Sequence, residues 1–444
     1  MKKLIKMGSK KKSRTVTEVK EKIEKGEAVV LTADELCDRV RSGEEVKFED
    51  VDVVTSATCG VRSGTFAVLS FKVAERREAF ERAERVFLNG VPAFPGPCPN
   101  ERLGIVDLIV YGTARRDEKY GGGHLFRALV AGEEVEVVVE TVEGGKVETR
   151  TSLEEIPFAR LCSTRNVYKN YFAFVNSQEG EVASIFSVRK FAGPLKELTF
   201  SGCGELNPLE KDPLLETVGV GTRILMNGAE GFVVGEGTRS TAEKPNLMGF
   251  AEMHGMLPEY LGGFRTSAGP EVWSSWAVPI PVLNERILES VKRLDEEIKL
   301  GVLDVHDRLP VGAGEGAGAG EEVTYADVWQ RDCDLSVRFD RRRCLECEDC
   351  RVASVCPTDA FDPQTKRVSE ELCCNCGTCV RWSCEGGAFY GNLGTVSVLG
   401  RAVPVTLRQS DRKRAVKLAE VLKQKILEGN FTISEPVSRI SKAV

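Results

Sequence analysis

Ten of the fifteen cysteines in the chain fall between Cys333 and Cys384, and eight of these form two runs with almost the same spacing. The first run is Cys344, Cys347, Cys350 and Cys356, and the second is Cys373, Cys376, Cys379 and Cys384. Three thiolates on one tight loop can bind three irons of a cubane cluster, and in two-cluster ferredoxins the fourth ligand comes from the other run. The spacing therefore predicts two [4Fe-4S] clusters: cluster I on Cys344, Cys347, Cys350 and Cys384, and cluster II on Cys373, Cys376, Cys379 and Cys356.

The main alternative is a pair of zinc knuckles, because CxxC pairs also bind zinc. Such zinc sites use two pairs of ligands, whereas here three evenly spaced cysteines occur twice and Pro357 follows Cys356, which favours iron–sulfur ligation. The gaps before Cys356 and Cys384 are longer than in common ferredoxin motifs, and no proline follows Cys384. Cys333 and Cys374 fall outside the pattern and are expected to be free thiols.

Composition argues against several other classes of protein. The chain has 444 residues, 42% of them hydrophobic, so it can bury an ordinary core. Its 61 basic and 67 acidic residues give a net charge of −6 without a long block of one sign, so neither nucleic acid nor membrane is an expected partner. The sequence shows no export signal and no long apolar run. We therefore expect a cytoplasmic protein whose clustered cysteines bind metal rather than form disulfides.

Local patterns predict an α+β protein in three segments. We expect a large mixed α/β domain over residues 1–322, a two-cluster ferredoxin-like module over 323–392, and a hairpin and helix over 393–444. Glycine-rich residues 310–320 favour a flexible linker before the module. Helices are predicted at 16–25, at 36–40 behind a capping box of Thr32 and Glu35, and at 75–87, 284–300 and 411–428. The last of these is predicted to be capped by Ser410. Strands are predicted at 51–58, 64–71, 105–112 and 134–142, and a hairpin at 395–407.

Several stretches outside the cysteine runs resemble one enzyme family. They are GEAVVLTADEL (26–36), VDVVTSATCG (51–60), YGGGH (120–124), RNVYKNYFAFVNS (165–177), VGVGTRILMNGAEGFVVGEGT (218–238), PEYLGG (258–263), VPIPVLNE (278–285) and the tail 407–437. In this order they resemble the homocysteine-biosynthesis, sulfur-incorporation family, which includes L-aspartate semialdehyde sulfurtransferases. Within that family the chain is similar to a ferredoxin-bearing variant of methanogenic archaea. This resemblance implies that the module over 323–392 is inserted into the large domain, which the hairpin and helix over 393–444 complete.

The resemblance implies a reaction and its partners. A sulfur equivalent is held as a cysteine persulfide, delivered to an aldehyde such as aspartate semialdehyde and reduced by two electrons. The implied partners are a small-molecule aldehyde or sulfur donor, together with a possible redox protein. In this alignment the family's cysteine of the VDVVTSATCG region falls at Ser63.

The sulfur chemistry needs an activated thiolate, for which an exposed cysteine at a strand-to-turn junction is a plausible setting. Cys59 is predicted to lie at the end of a strand before Gly60, and a small buried core residue is the equal alternative. Cys203, flanked by glycines, is a second candidate. Among the other cysteines, Cys162 could contribute, Cys98 is expected in a rigid loop, and Cys37 on the apolar face of its helix.

Polar candidates complete the expected site. His124 follows three glycines and could act as an acid or hydrogen-bond donor, with a hydrogen-bonded turn histidine as the alternative. Arg165 could bind a substrate carboxylate through two parallel hydrogen bonds. Asn166, Tyr168 and Asn170 are predicted beside it as substrate-binding residues, or else form a polar loop.

Two functional hypotheses from different classes remain at this point. In the first, the chain is an enzyme that transfers sulfur with electrons from its own clusters. In the second, it is a metalloprotein that transfers electrons or assists cofactor assembly in methanogenesis, without a turnover of its own.

Overall fold

The computed structural model describes residues 13–96, 100–169, 171–312, 323–382 and 384–440. The helices in these ranges are α1 (Val16–Glu24), α2 (Ala33–Arg41), α3 (Gly122–Val130), α4 (Pro208–Lys211), α5 (Glu285–Val291), α6 (Tyr325–Val328), α7 (Arg351–Val355), α8 (Thr378–Trp382) and α9 (Arg412–Leu427). None of the helices in the described ranges is both long and apolar enough to cross a bilayer.

Most strands belong to one large mixed sheet with the order β1-β2-β18-β14-β15-β16-β9-β3-β6-β5-β4-β7-β8, and β17 pairs with β18. Its strands before residue 112 are β1 (Val30–Thr32), β2 (Val53–Val61), β3 (Thr65–Lys72), β4 (Ala83–Leu88), β5 (Val91–Pro95) and β6 (Ile105–Tyr111). The later strands are β7 (Val135–Thr141), β8 (Lys146–Thr151), β9 (Phe158–Tyr168), β14 (Arg223–Met226), β15 (Ala229–Glu236), β16 (Asn246–Glu252), β17 (Gly262–Thr266) and β18 (Gly269–Pro281). The mixed α/β architecture agrees with the prediction.

A second sheet has the order β19-β10-β13-β25-β24. Its strands are β10 (Phe172–Val175), β13 (Leu198–Phe200), β19 (Gly301–Asp304), β24 (Thr395–Val398) and β25 (Arg401–Arg408). Short pairs elsewhere are β11 (Gly180–Val182) with β12 (Phe191–Gly193), β20 (Arg338–Phe339) with β23 (Phe389–Tyr390), and β21 (Phe361–Asp362) with β22 (Arg367–Val368). The cysteine-rich segment lies in sequence between β19 and β24, so strands on both sides of it share one sheet.

The final helix covers the strand that carries Cys59. Helix α9 packs on β2 and β18, with Leu418, Ala419 and Leu422 buried. Its N-cap is Asp411, whose side chain accepts a hydrogen bond from the Arg414 N–H; the prediction of Ser410 as the cap was wrong. The hairpin and helix predicted for the tail are confirmed.

The N-terminal elements are also confirmed. Helix α1 begins at Val16 as predicted, Thr32 forms the predicted capping box with Glu35, and the four predicted strands appear as β2, β3, β6 and β7. The linker predicted at 310–320 lies largely outside the described residues.

The helix predicted at 75–87 is wrong. Residues Ala83–Leu88 form β4, which pairs with β5 and β7. Asn89 and Gly90 both have positive φ (47° and 75°), which builds the two-residue turn between β4 and β5. Val86 and Leu88 are buried and lie two residues apart, as on one face of a strand. The segment therefore forms a hairpin strand instead of the predicted helix.

The single helix predicted at 284–300 is shorter in the structure. Asn284 caps α5 as expected, through hydrogen bonds from the Arg286 and Ile287 N–H groups. The helix ends at Val291 because the buried Lys211 amine donates to the carbonyls of Val291 (2.8 Å) and Arg293 (2.7 Å). Those carbonyls are thereby held by a side chain outside the helix.

Candidate functional site

The two cysteine runs fold as a structural repeat. The residue before the second cysteine of each run, Glu346 and Asn375, has the same positive φ of 51°. The fourth sulfur of each run accepts an N–H hydrogen bond from four residues further on, Ala360 to Cys356 Sγ and Ala388 to Cys384 Sγ, both at 3.3 Å. Phe361 and Phe389, which follow those donors, pack edge to face with centroids 5.0 Å apart. The sequence repeat is therefore a repeat of conformation as well.

Three of the four cysteines assigned to cluster II line one cavity. Cys356, Cys373 and Cys379 line a space of about 1090 Å³ that is bounded on its other side by α9. Burial raises the pKa of each of these three thiols, to about 12 for Cys373, and the Cys376 sulfur raises all three further. A hydrogen bond from Cys374 lowers the pKa of Cys376 to about 7. An all-thiol donor set around one cavity fits the chemistry of a [4Fe-4S] cluster.

The cluster I cysteines surround the other side of the aromatic group. Cys344, Cys350 and Cys384 are half-buried and pack against the apolar cluster that contains Phe361 and Phe389, whereas Cys347 is exposed. Within the described ranges, no three His, Cys, Asp or Glu side chains are arranged to hold one metal ion. The two quartets thus provide sulfur donors without a compact single-ion site.

A short segment, Arg408 to Arg414, lies between the cluster II loop and the strand that carries Cys59; we call it the junction. On the cluster side it makes hydrogen bonds from Arg408 N to the Cys376 carbonyl (2.9 Å), from Asn375 Nδ2 to Asp411 Oδ2 (3.1 Å) and from Arg414 Nη2 to the Cys373 carbonyl (2.7 Å).

On its other side the junction contacts both candidate nucleophiles. The Asp411 N–H donates to the Cys59 carbonyl at 3.1 Å, and the Cys203 thiol donates to the Asp411 carbonyl at 4.0 Å and to the Cys59 carbonyl at 3.7 Å. The Ser410 hydroxyl accepts from the Gly202 N–H at 2.8 Å. Cys59, Cys203 and the cluster II loop are therefore joined by one hydrogen-bonded segment.

Cys59 itself is inside the sheet. Strand β2 runs on to Val61, so the prediction that Cys59 ends its strand was wrong. Its sulfur lies 2.8 Å from Ser275 Oγ, and since the Ser275 hydroxyl donates to the Tyr260 carbonyl, the thiol is the donor in the first contact. Burial raises the pKa of Cys59 to about 12. Its role as a nucleophile stays a prediction.

Cys203 is equally buried, in a tight turn whose glycines are required by packing. Gly202 and Gly204 have φ of 100° and 59°. A Cβ on Gly202 would lie 2.2 Å from the Tyr325 hydroxyl, and one on Gly204 would lie 2.0 Å from an Asp295 oxygen. Burial raises the pKa of Cys203, and the Arg62 charge acts in the opposite direction.

Arg62 was not identified from the sequence. It is 2% exposed, and its guanidinium donates to the Thr58 hydroxyl (3.0 Å) and the Val61 carbonyl (2.7 Å) and lies 4.8 Å from the Tyr171 ring centroid. No carboxylate in the described ranges forms an ion pair with it. A charged residue directly after a buried strand was the available signal, but its inward direction depends on the tertiary fold.

His124 contacts its own helix and Tyr120 rather than the candidate thiols. It lies in the first turn of α3, where its Nδ1 accepts the Gly121 N–H at 3.2 Å and its ring stacks on Tyr120. Burial lowers its pKa to about 4. No contact in the described ranges joins it to Cys59 or Cys203, so its catalytic role stays a prediction.

The predicted substrate residues lie on or beside β9 but in different surroundings. Asn166 is fully buried and donates to the Ser274 hydroxyl at 2.9 Å. Arg165 is half-buried beside Tyr168, whose pKa is raised by burial and lowered by the charge of Arg165. Asn170 lies outside the described residues, as does Cys98. Asn166 therefore lies in the sheet interior, whereas the substrate-binding roles of Arg165 and Tyr168 stay predictions.

The remaining cysteines have ordinary structural settings. Cys37 is buried on α2 and accepts a hydrogen bond from the Lys211 amine at 3.1 Å. Cys162 is half-buried on β9, paired with Phe66 and Phe250 of the neighbouring strands.

Comparison with known proteins gives a family and its relatives. A family model described as "Homocysteine biosynthesis enzyme, sulfur-incorporation" matches residues 28–433. An uncharacterised protein of Methanothermobacter thermautotrophicus is 48% identical over 420 residues, which cover 94% of each chain. An uncharacterised protein of Methanocaldococcus jannaschii is 40% identical and is covered over 99% of its length.

A more distant relative is named for its enzymatic activity. The L-aspartate semialdehyde sulfurtransferase of Methanocaldococcus jannaschii is 32% identical over 309 residues, which cover 66% of this chain and 58% of that enzyme. No solved structure matches the chain.

Proposed function

Because the chain belongs to the homocysteine-biosynthesis, sulfur-incorporation family, we propose that it transfers sulfur to a small aldehyde and supplies the electrons from its own cysteine-bound clusters. The junction carries this proposal, because it connects the cluster II loop to Cys59 and Cys203 by direct hydrogen bonds. We further assign the chain to the ferredoxin-bearing branch known as methanogenesis marker 16.

The chemistry requires both parts of the molecule. Conversion of an aldehyde and hydrogen sulfide to a thiol takes up two electrons and two protons and releases one water. Bound [4Fe-4S] clusters would supply electrons singly, on Cys344, Cys347, Cys350 and Cys384 and on Cys356, Cys373, Cys376 and Cys379.

The protein's own residues would hold the sulfur and the substrate. Cys59 and Cys203 are the thiols next to the junction, and Arg62 places a buried positive charge near Cys203, which favours an anionic sulfur there. Arg165, half-exposed beside Tyr168, is suited to a substrate carboxylate. Aspartate semialdehyde, the substrate named for the more distant relatives, carries such a group.

The test is homocysteine formation from sulfide and aspartate semialdehyde by the anaerobically reconstituted chain. We expect the Cys59→Ser/Cys203→Ser variant to lose at least about 100-fold in rate, because it removes the two thiols proposed to hold hydrosulfide, the nucleophile of this reaction, against the aldehyde. Cys162→Ser, a half-buried cysteine away from the junction, is the matched control and should keep the wild-type rate. A double variant that is as active as the control would rule out the thiol pair.

The second candidate is a metalloprotein that carries electrons or assists cofactor assembly. The complete burial of Cys59 and Cys203 favours it, since raised thiol pKa values oppose nucleophilic attack. Ser63, at the position of the family's cysteine, favours it as well. Wild-type protein with reversibly reducible clusters but no homocysteine formation would establish this second function.

A further inference from the structure

The two halves of the cysteine repeat differ in what covers them. Leu345, which follows the first cysteine of its run, is 62% exposed, whereas its counterpart Cys374 is 2% exposed. Cys347 is exposed, and its counterpart Cys376 is buried at 7%. The same loop conformation therefore faces solvent in one half and protein in the other.

The junction explains why the second loop is buried and the first is exposed. Asn375 donates to Asp411, which fixes the second loop to the junction, and it accepts the Val337 N–H at 3.2 Å from within the cysteine-rich segment. Glu346, the equivalent residue with the same φ, is exposed. The residues from 345 to 349 are all exposed, whereas 374 and 376–378 are buried.

This asymmetry assigns a direction to electron flow. Cluster II residues contact the junction and hence the thiols, so electrons leave on that side. The only ligand of either quartet that is exposed in the described ranges is Cys347, so an external donor has its shortest approach there.

We propose that the loop from Cys344 to Cys350 is the docking surface for a one-electron carrier protein, with the apolar Leu345 at its centre. The proposal rests on the proposed function, because it names the source of the electrons used there. Interfaces of redox partners are small, and a single exposed apolar side chain within a charged rim suits such a transient contact. The rim carries both signs, on Arg341, Arg343, Glu346, Glu348 and Asp349.

The electron balance is simple. Each encounter oxidises the carrier by one electron and reduces the chain's clusters by one, and no bond forms or breaks. Two encounters supply the two electrons that the aldehyde-to-thiol conversion takes up. Because the rim is mixed in sign, the association rate should depend only weakly on ionic strength.

The experiment measures cluster reduction in the full reconstituted chain, without aldehyde or sulfide. The probe is flavodoxin hydroquinone, whose one-electron oxidation is followed by stopped-flow absorbance of its semiquinone. Leu345→Glu should slow this reaction about tenfold, the factor that corresponds to about 1.4 kcal/mol of lost encounter energy. Leu345→Ala should slow it less. Reduction by dithionite, which needs no docking surface, should be unchanged in both.

Leu309→Glu is the matched control, since Leu309 is 60% exposed but lies outside the cysteine-rich segment. Wild-type rates with flavodoxin in Leu345→Glu, or an equal slowing in Leu309→Glu, would overturn the proposal. If Leu345→Glu also slowed cluster reduction by dithionite, the proposal would be overturned too, because the substitution would then act on the clusters themselves and not on docking. Since no sulfur chemistry is measured, this result is independent of the homocysteine assay.

Discussion

The start of α9 depends on a buried ion-pair network, which makes Arg412 the most informative residue to remove. Its guanidinium donates to Glu205 Oε1 at 2.6 Å and pairs with Asp295, and all three side chains are at least nine-tenths buried. Burial alone would lower the pKa of Arg412, but the charges of Asp295 and Glu205 hold it above its ordinary value. The network lies directly beside Asp411 of the junction.

Arg412→Ala would leave two buried carboxylates that share one remaining cation, Arg41, which pairs closely with Glu205 and lies 4.0 Å from Asp295. Removal of one partner from a buried pair typically costs about 3–5 kcal/mol, a large part of a free energy of unfolding of about 5–15 kcal/mol. The assay is denaturant unfolding of the reconstituted chain, followed by tryptophan fluorescence. Arg286→Ala is the control, because Arg286 pairs with Glu216 at a position where it is 67% exposed, and its loss should cost at most about 1 kcal/mol.

The pH dependence gives this prediction a sign. Burial raises the pKa of Asp295, and removal of the Arg412 charge raises it further, so the variant takes up a proton in the folded state. In the wild type Glu205 has a lowered pKa, and its stabilising contribution is lost on acidification. The stability gap between wild type and variant should therefore narrow as the pH falls from about 7 to about 4, because Asp295 of the variant takes up its proton first and Glu205 is protonated only below about pH 4.3. A gap no larger than that of Arg286→Ala at neutral pH would refute the reasoning.

Two further predictions concern the turn at Cys203 and the crossed ligand assignment. Gly202→Ala should lower the free energy of unfolding by about 2–4 kcal/mol, because the added Cβ clashes with Tyr325 at a residue whose φ is 100°. The control is Gly26→Ala, where φ is 71° and no atom lies within 4 Å of the added Cβ, and it should lower the free energy of unfolding by only about 1 kcal/mol in the same assay. Cys356→Ser should remove the same cluster as Cys373→Ser and leave about half of the iron. Iron analysis and paramagnetic resonance of the reduced protein measure both effects, and Cys333→Ser is the control. Loss of the cluster that Cys344→Ser removes would contradict the crossed assignment.

Sequence patterns predicted the elements whose signals are local. The capping box at Thr32 and the cap at Asn284 each depend on residues within one turn, and the structure has them. The Asn89-Gly90 turn was also a local signal, but the charged pattern around it favoured a helix. The early end of α5 was not predictable in this way, because the Lys211 amine that holds its last carbonyls is distant in sequence.

The site was predictable only in its parts. The spacing of the cysteine runs alone predicts a set of cluster ligands, and Cys59 and Cys203 were identified as candidates from their neighbours. Their connection through Asp411 required the tertiary fold, since Asp411 bonds to residues 352 and 36 positions away, at Cys59 and Asn375. Arg62 was missed for the same reason: whether it is buried depends on Tyr171 and on the turn at Cys203.

The place of the insertion explains why the two chemistries meet. The chain leaves the second sheet after β19, forms the cysteine-rich segment and returns as β24 and β25, where β25 pairs in parallel with β13. Strand β25 ends at Arg408, so the residues that follow it form the junction. The strand that returns from the insert must therefore pass between the cluster II loop and β2. The same cysteine-rich segment placed between two other strands would keep its eight cysteines but would have no such segment beside Cys59.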